Sequence, residues 1–378
     1  MTNDKLLSQT ISYMRFPLTV GVVFIHFDLS EGLPTNLNFP DWYFYLIQFF
    51  SNVLPCIAVP LFFLISGFLF FYNIEFNRNI YKQKLYSRTK TLLIPYLLWN
   101  TITLFLSAAR VIPFVSSLTV YVKKAEFHFT LVRLFNTFFN CNNSNSILVI
   151  PIEDTMGEIS NLAYPINLPM WYVRDLMVMV LLSPAIYWMV KKMGKWTIIS
   201  IGLIKYCVIP ILLPQGGYPS QFIIGLFFFS WGAYFSINQQ NFVDKMRKYK
   251  YIPLIYFPIA IIDTLTKHTG YNFYFHNLGV LLGIASAIII ASYLIEKKKV
   301  KVNPMLANAS FFIYALHFIF LKQLGRAILI AFHLPKTTFV MLTLYFVVPI
   351  ITIILCLIIY IMLRKYAPNV WMLLTGGR

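Results

Sequence analysis

Long apolar runs recur along this chain with only short interruptions, and that repetition restricts it to lipid as its solvent. The runs lie near residues 10–28, 44–72, 91–109, 169–190, 196–213, 220–237, 251–265, 277–295, 309–330 and 339–363. A helix needs about 20 apolar residues to cross the hydrocarbon, and within lipid it must satisfy its backbone N–H and C=O groups internally. Charge is also scarce. Of 378 residues, 12% are Asp, Glu, Lys or Arg and 58% are apolar or aromatic. A soluble domain carries about twice that charged share to wet its surface. These features predict an all-α fold, a polytopic membrane bundle of about ten transmembrane helices, built as a single integral membrane domain over residues 1–378. The first run could pass for a secretory leader. Arg15 interrupts it and no small-x-small cleavage site follows, so it is read as the first span.

The net charge of +18 would suit a nucleic-acid partner. However, the basic residues sit in short clusters between apolar runs, with no long basic face or RNA-binding motif, so no nucleic acid is expected. Their placement sets an orientation instead. Lys and Arg gather at 78–90, 191–195, 245–250, 297–301 and 364–365. The alternate loops at 29–43 and 214–221 have none, and each of 266–276 and 331–338 has a single Lys. The positive-inside rule then puts both termini in the cytoplasm and makes the number of spans even. Lys205, Lys322 and Arg326 fall in or near spans with no evident partner. Cys56, Cys141, Cys207 and Cys356 form no C-x-x-C pair and read as small buried hydrophobes. No metal site and no permanently bound cofactor is expected.

The loop at about 110–168 should be external and is too long for a plain connector. It holds Glu126, His128, Glu153, Asp154 and Glu158, with an Asn/Ser-rich stretch at 140–146. It reads as a lid or binding surface, or equally as a variable decoration.

Ionisable side chains inside a membrane are costly, which makes each a functional candidate. Arg15 and His26 are eleven residues apart, about three helical turns, so they share one face with a rise of roughly 16 Å. Arg15 would lie nearer the cytoplasm and His26 nearer the outside. Alternatively, Arg15 snorkels to lipid phosphate and His26 is interfacial. Ser66 and Gly67 are small residues suited to close helix packing. Arg88 and Lys90 sit where positive-inside topology expects charge, and where an anionic cytosolic substrate would find a phosphate site. Trp171, Arg174 and Asp175 open the fourth span from the outside. Aromatic rings beside charged, hydrogen-bonding groups suit a sugar-like acceptor. His317 is a second intramembrane histidine, of uncertain role, expected in the middle or cytoplasmic half of its span.

Several of these segments occur in the order found in the membrane-bound acyltransferase 3 family, the polysaccharide O-acyltransferase-like proteins. The resemblance runs from Met14 to about Tyr360. It rests on Arg15-x10-His26, Phe63-Leu64-Ile65-Ser66-Gly67-Phe68-Leu69, Arg88 with Pro95-Tyr96, Trp171-Tyr172-Val173-Arg174-Asp175-Leu176 and Phe312-Ile313-Tyr314-Ala315-Leu316-His317. It departs from the family where Arg88 is followed by Thr89, Lys90 and Thr91 rather than by an Arg-x-x-Arg pair. The resemblance implies His26 as catalytic base and acyl-CoA contacts for Arg15, Arg88, Lys90 and Ser66.

The implied reaction moves an acyl group from cytosolic acyl-CoA, acetyl-CoA by default and succinyl-CoA as the alternative, to a hydroxyl of a cell-surface or lipid-linked carbohydrate. His26 would remove the hydroxyl proton, and Trp171, Arg174 and Asp175 would hold the acceptor. An acyl-histidine intermediate is an alternative route. Membrane lipids are the remaining partner, and a bacterial inner membrane is the expected location. From charge and topology alone, a transporter or flippase of a lipid-linked sugar and a polysaccharide polymerase stay open.

Overall fold

The computed structural model describes residues 3–27, 39–109, 126–141, 148–149, 164–213 and 218–377. Its helices in chain order are α1 (Asn3–Ile25), α2 (Asp41–Phe71), α3 (Arg78–Ala108), α4 (Leu131–Phe139), α5 (Leu168–Met193), α6 (Lys195–Leu212) and α7 (Tyr218–Ile237). There follow α8 (Phe242–Arg247), α9 (Ile252–Leu265), α10 (Asn272–Glu296), α11 (Pro304–Ala331), α12 (Thr338–Tyr366) and α13 (Pro368–Thr375). Two-residue strands, β1 (Glu126–Phe127) and β2 (Leu148–Val149), pair antiparallel between α3 and α5. Among the described residues the regular structure is otherwise helical.

A helix occupies each of the apolar runs. Among the described residues, 8 helices are long and apolar enough to cross a membrane: α2, α3, α5, α6, α7, α10, α11 and α12. The remaining two runs give α1, whose 23 residues include Arg15 and a polar first half, and α9, of 14 residues. The third run begins earlier than its apolar stretch suggests. α3 continues unbroken from Arg78, so the basic segment 78–90 is part of the same rod.

Prolines set the irregularities within these rods. Pro55 sits in a tight 3-10 turn, Leu54–Ile57, that follows a π-helical turn at Phe49–Val53 in α2. Pro95 follows a second π-helical turn, Thr89–Leu93, in α3. A proline has no N–H to donate and its ring collides with the carbonyl four residues back, so the preceding turn widens to accommodate it.

α2 and α7 pack most intimately. A Cβ on Gly67 would run into the Phe229 carbonyl, and one on Gly232 into the Leu64 carbonyl, so the two backbones touch at both glycines. Lipid offers no hydrophobic drive between helices, so such close approach of small residues supplies the association energy.

Side-chain contacts sort the helix ends into two groups. At one end Tyr72 reaches Asp4 (3.4 Å), Asn241 reaches the Asn3 carbonyl (3.4 Å), and Arg247 pairs with Glu296. At the other, Ser51 donates to the Phe24 carbonyl (2.9 Å) and meets the Tyr345 hydroxyl (2.6 Å). Every segment in the first group belongs to the Lys/Arg-rich side.

Candidate active site

Arg15, Ser66, Arg88 and Tyr172, carried on α1, α2, α3 and α5, line one cavity of about 380 Å³. α11 closes it with Ser310, Phe311 and Tyr314. Within the apolar wall, Ser66 Oγ lies 3.0 Å from the Tyr172 hydroxyl. Thr19, one turn beyond Arg15, donates its hydroxyl to the Arg15 carbonyl (2.9 Å). The neighbours Ser66 and Gly67 divide their work. Gly67 meets α7, while Ser66, turned 100° away, faces the cavity. The cavity therefore offers two guanidinium groups and several hydroxyls to a slender ligand, a set suited to phosphate and carbonyl oxygens.

One turn along α11 from Tyr314 lies His317, whose ring is fully buried. Its centroid is 5.5 Å from that of His26, with the planes at 36°. Phe318 meets His26 edge-on at 5.7 Å. α11 crosses α1 so that the rings of the two histidines lie side by side. On α11 a single turn, from Tyr314 at the cavity to His317, leads to the ring beside His26.

The start of α5 is held from three sides. Tyr314 donates its hydroxyl to the Pro169 carbonyl. Asn167, fully buried, gives its amide to the Ala315 carbonyl (3.1 Å), and its backbone N–H to the Asn100 side chain (3.1 Å). Arg174 and Asp175 form a buried ion pair (Nε to Oδ1 2.8 Å), and Arg174 also donates to the Phe139 carbonyl at the end of α4 (2.7 Å). Tyr96 donates to the neighbouring Phe138 carbonyl. These bonds fasten the described part of the long loop onto α3 and α5, whereas Glu153, Asp154 and Glu158 lie outside the described residues. Burial raises the pKa of Tyr164, against the nearby Arg174 charge, so its phenol stays neutral.

The family model described as an acyltransferase domain matches residues 9–361. The chain belongs to the acyltransferase 3 family. It is similar to the succinoglycan biosynthesis protein ExoH of Rhizobium meliloti (strain 1021), with 26% identity over 390 residues, 99% of this chain and 94% of that protein. No solved structure matches the chain. It is a multi-pass membrane acyltransferase.

For this acyltransferase the expected site residues separate by position. Arg15, Arg88 and Ser66 come together in the cavity. Lys90 does not: it is exposed, and its ammonium lies over the Tyr86 ring at 4.5 Å. Two residues past Arg88 means about 200° of rotation, which points Lys90 to the opposite face. The basic residue that shares the Arg88 face is Lys84, one turn earlier, with its ammonium 5.3 Å from the centre of the Phe70 ring that lines the cavity. The i, i+4 spacing of Lys84 and Arg88 was the available signal. Trp171 is half-buried and does not line the cavity; its neighbour Tyr172 does. Tyr314 was legible only as part of a motif. Lys205 has a partner after all, in Asn277 (3.2 Å).

Proposed function

We propose that the chain transfers an acyl group from cytosolic acyl-CoA to a hydroxyl of an extracytoplasmic carbohydrate. The observation that supports this most strongly is the cavity in which Arg15 and Arg88 stand beside Ser66 and Tyr172. Two guanidiniums suit the phosphates of CoA, which are bidentate acceptors. The apolar wall suits its pantetheine arm. The roughly 16 Å rise from Arg15 to His26 gives that arm a track toward the histidine. Carbohydrate is the acceptor class because the relative is named for the biosynthesis of succinoglycan, a polysaccharide.

His26 acts as general base. It removes the acceptor hydroxyl's proton as the oxygen bonds to the thioester carbonyl carbon. The C–S bond then breaks, and the proton passes from His26 to the departing CoA thiolate. A neutral imidazole, with an ordinary pKa of about 6.5, is suited to both transfers. Trp171 provides an aromatic surface for the sugar. Arg174 and Asp175 shape the acceptor side by fixing α4 against α5. In this reading ten helices cross a bacterial inner membrane and both termini face the cytoplasm, so donor and acceptor approach from opposite sides.

The test uses protein reconstituted in vesicles, with labelled acetyl-CoA or succinyl-CoA on the side of the termini and de-acylated surface polysaccharides on the other. Label should appear as an ester on the carbohydrate. Thioester hydrolysis without esterified carbohydrate across the whole panel contradicts the proposal. The donor that labels better identifies the acyl group.

A further inference from the structure

We propose that His317 is the positioning partner of His26: its Nε2 accepts a hydrogen bond from one nitrogen of His26, and the other His26 nitrogen is thereby presented to the acceptor hydroxyl. The inference rests on the assignment of His26 as the base.

The tautomer of His317 follows from its surroundings. Its Nδ1 lies 3.1 Å from the Ile313 carbonyl, one turn back on α11. A carbonyl oxygen only accepts, so Nδ1 carries the hydrogen. In a neutral ring Nε2 is then a lone pair. That atom is buried and has no hydrogen-bond partner in the structure. Buried polar atoms are nearly always satisfied, because an unmade bond there loses the whole solvation of the group.

The polar rings in contact with His317 are those of His26 and Tyr314, at 5.5 and 6.4 Å between centroids. The Tyr314 hydroxyl is committed to the Pro169 carbonyl. His26 is the other polar ring against His317. Two imidazoles at this separation leave roughly 3 Å between facing edges, the reach of an N–H···N hydrogen bond. A small turn of the His26 ring closes it.

The consequence for the reaction is specific. A lone imidazole can present either nitrogen, and its ring can turn. A hydrogen bond to His317 selects one His26 tautomer, with N–H toward His317 and the lone pair toward the hydroxyl. When His26 takes up the acceptor's proton, the imidazolium keeps its N–H on the Nε2 lone pair of His317, which helps stabilise the charge. The proton then leaves to the CoA thiolate and His26 returns to the same tautomer. No proton resides on Nε2, so His317 positions and stabilises rather than reacts.

The experiment compares His317→Gln, His317→Asn and His317→Phe with His26→Ala and with the double variant His26→Ala/His317→Phe, in the full-length reconstituted protein. Turnover is measured with acetyl-CoA and the carbohydrate the unaltered protein acylates, per molecule that elutes as a folded species. Gln can place an amide oxygen near the site of Nε2, whereas Asn reaches only the site of Nδ1, and Phe offers no acceptor. His317→Phe and His317→Asn should lose roughly 10- to 100-fold in kcat, as when a hydrogen-bond partner that orients a functional histidine is removed. KM for acetyl-CoA should stay within about twofold, because the cavity is untouched. His317→Gln should recover most of the loss, and the double variant should be no slower than His26→Ala. If Phe does not fold, the Gln-against-Asn comparison decides. Equal turnover in Asn and Gln, unaltered turnover in Phe, or losses that multiply in the double variant overturn the inference. Full turnover in His26→Ala would instead remove the base assignment, a result distinguishable from failure of the pairing alone.

Discussion

The imidazole rings of His26 and His317, from opposite ends of the sequence, lie 5.5 Å apart at 36° where α1 crosses α11. Beside them, Tyr314 reaches into the cavity lined by Arg15 and Arg88. A charged, hydroxyl-rich end and a histidine end are thus joined along one pair of helices. That arrangement separates what donor-side and histidine variants should do.

Arg15→Ala should raise KM for acyl-CoA by about tenfold or more, the loss of one charge-assisted contact. Arg88→Ala should act the same way but more mildly, and Lys90→Ala should change it by less than twofold, or about 0.4 kcal/mol. Titrating acyl-CoA turnover in correctly inserted protein distinguishes them. Normal KM in both arginine variants would leave only lipid snorkelling for these charges, and a strong effect at Lys90 would show that the outward face of α3 carries the donor.

Gly67→Ala and Gly232→Ala should each destabilise the protein, by about 1–3 kcal/mol as is usual for an overpacked contact. Either new methyl meets carbonyl backbone, which cannot move aside as a side chain can. Gly270→Ala is the control, since nothing lies within 4 Å of its added Cβ. Thermal unfolding in detergent compares the three. Unchanged midpoints at positions 67 and 232 would mean that α2 and α7 pack less closely than described here.

Asp175→Asn should impair transfer to the carbohydrate more than it alters KM for acyl-CoA, and Trp171→Ala should do likewise. Asp175→Ala should go further, because removing one partner of a buried ion pair typically costs about 3–5 kcal/mol. Released from Arg174, the 131–139 helix should become more sensitive to protease. Poor acyl-CoA use with normal acceptor saturation would assign these residues to the donor half, and unchanged proteolysis would show that the ion pair does not hold the 131–139 helix.

Single cysteines test the orientation. A membrane-impermeant reagent applied to intact cells should modify a cysteine at His128 in the long loop and leave one at Lys192 or Lys298 unmodified. Labelling at 298 with protection at 128 would invert the arrangement and, with it, the donor side.

The helices were legible because each apolar run is long and the loops between them are basic or neutral in alternation. Arg15 and Ser66 were legible as the polar exceptions within those runs, and Arg88 as part of the basic segment just before the third. Two things were not. The face of a side chain in a π-helical turn depends on where the widening falls, so Lys90 was grouped with Arg88 although Lys84 shares the Arg88 face. Relative depth between helices far apart in sequence depends on tilt, crossing and irregular turns, none of which one-dimensional spacing records. This is why the meeting of His26 with His317, and the anchoring of Asn167 by α3 and α11, emerged only in three dimensions.

Turnover of His26→Ala, counted per correctly inserted molecule with acyl-CoA and carbohydrate both present, tests the account most directly. Loss of general-base catalysis should reduce it by about 10²–10⁴-fold, while insertion and acyl-CoA binding remain. Near-normal turnover with alanine at position 26 would contradict the mechanism.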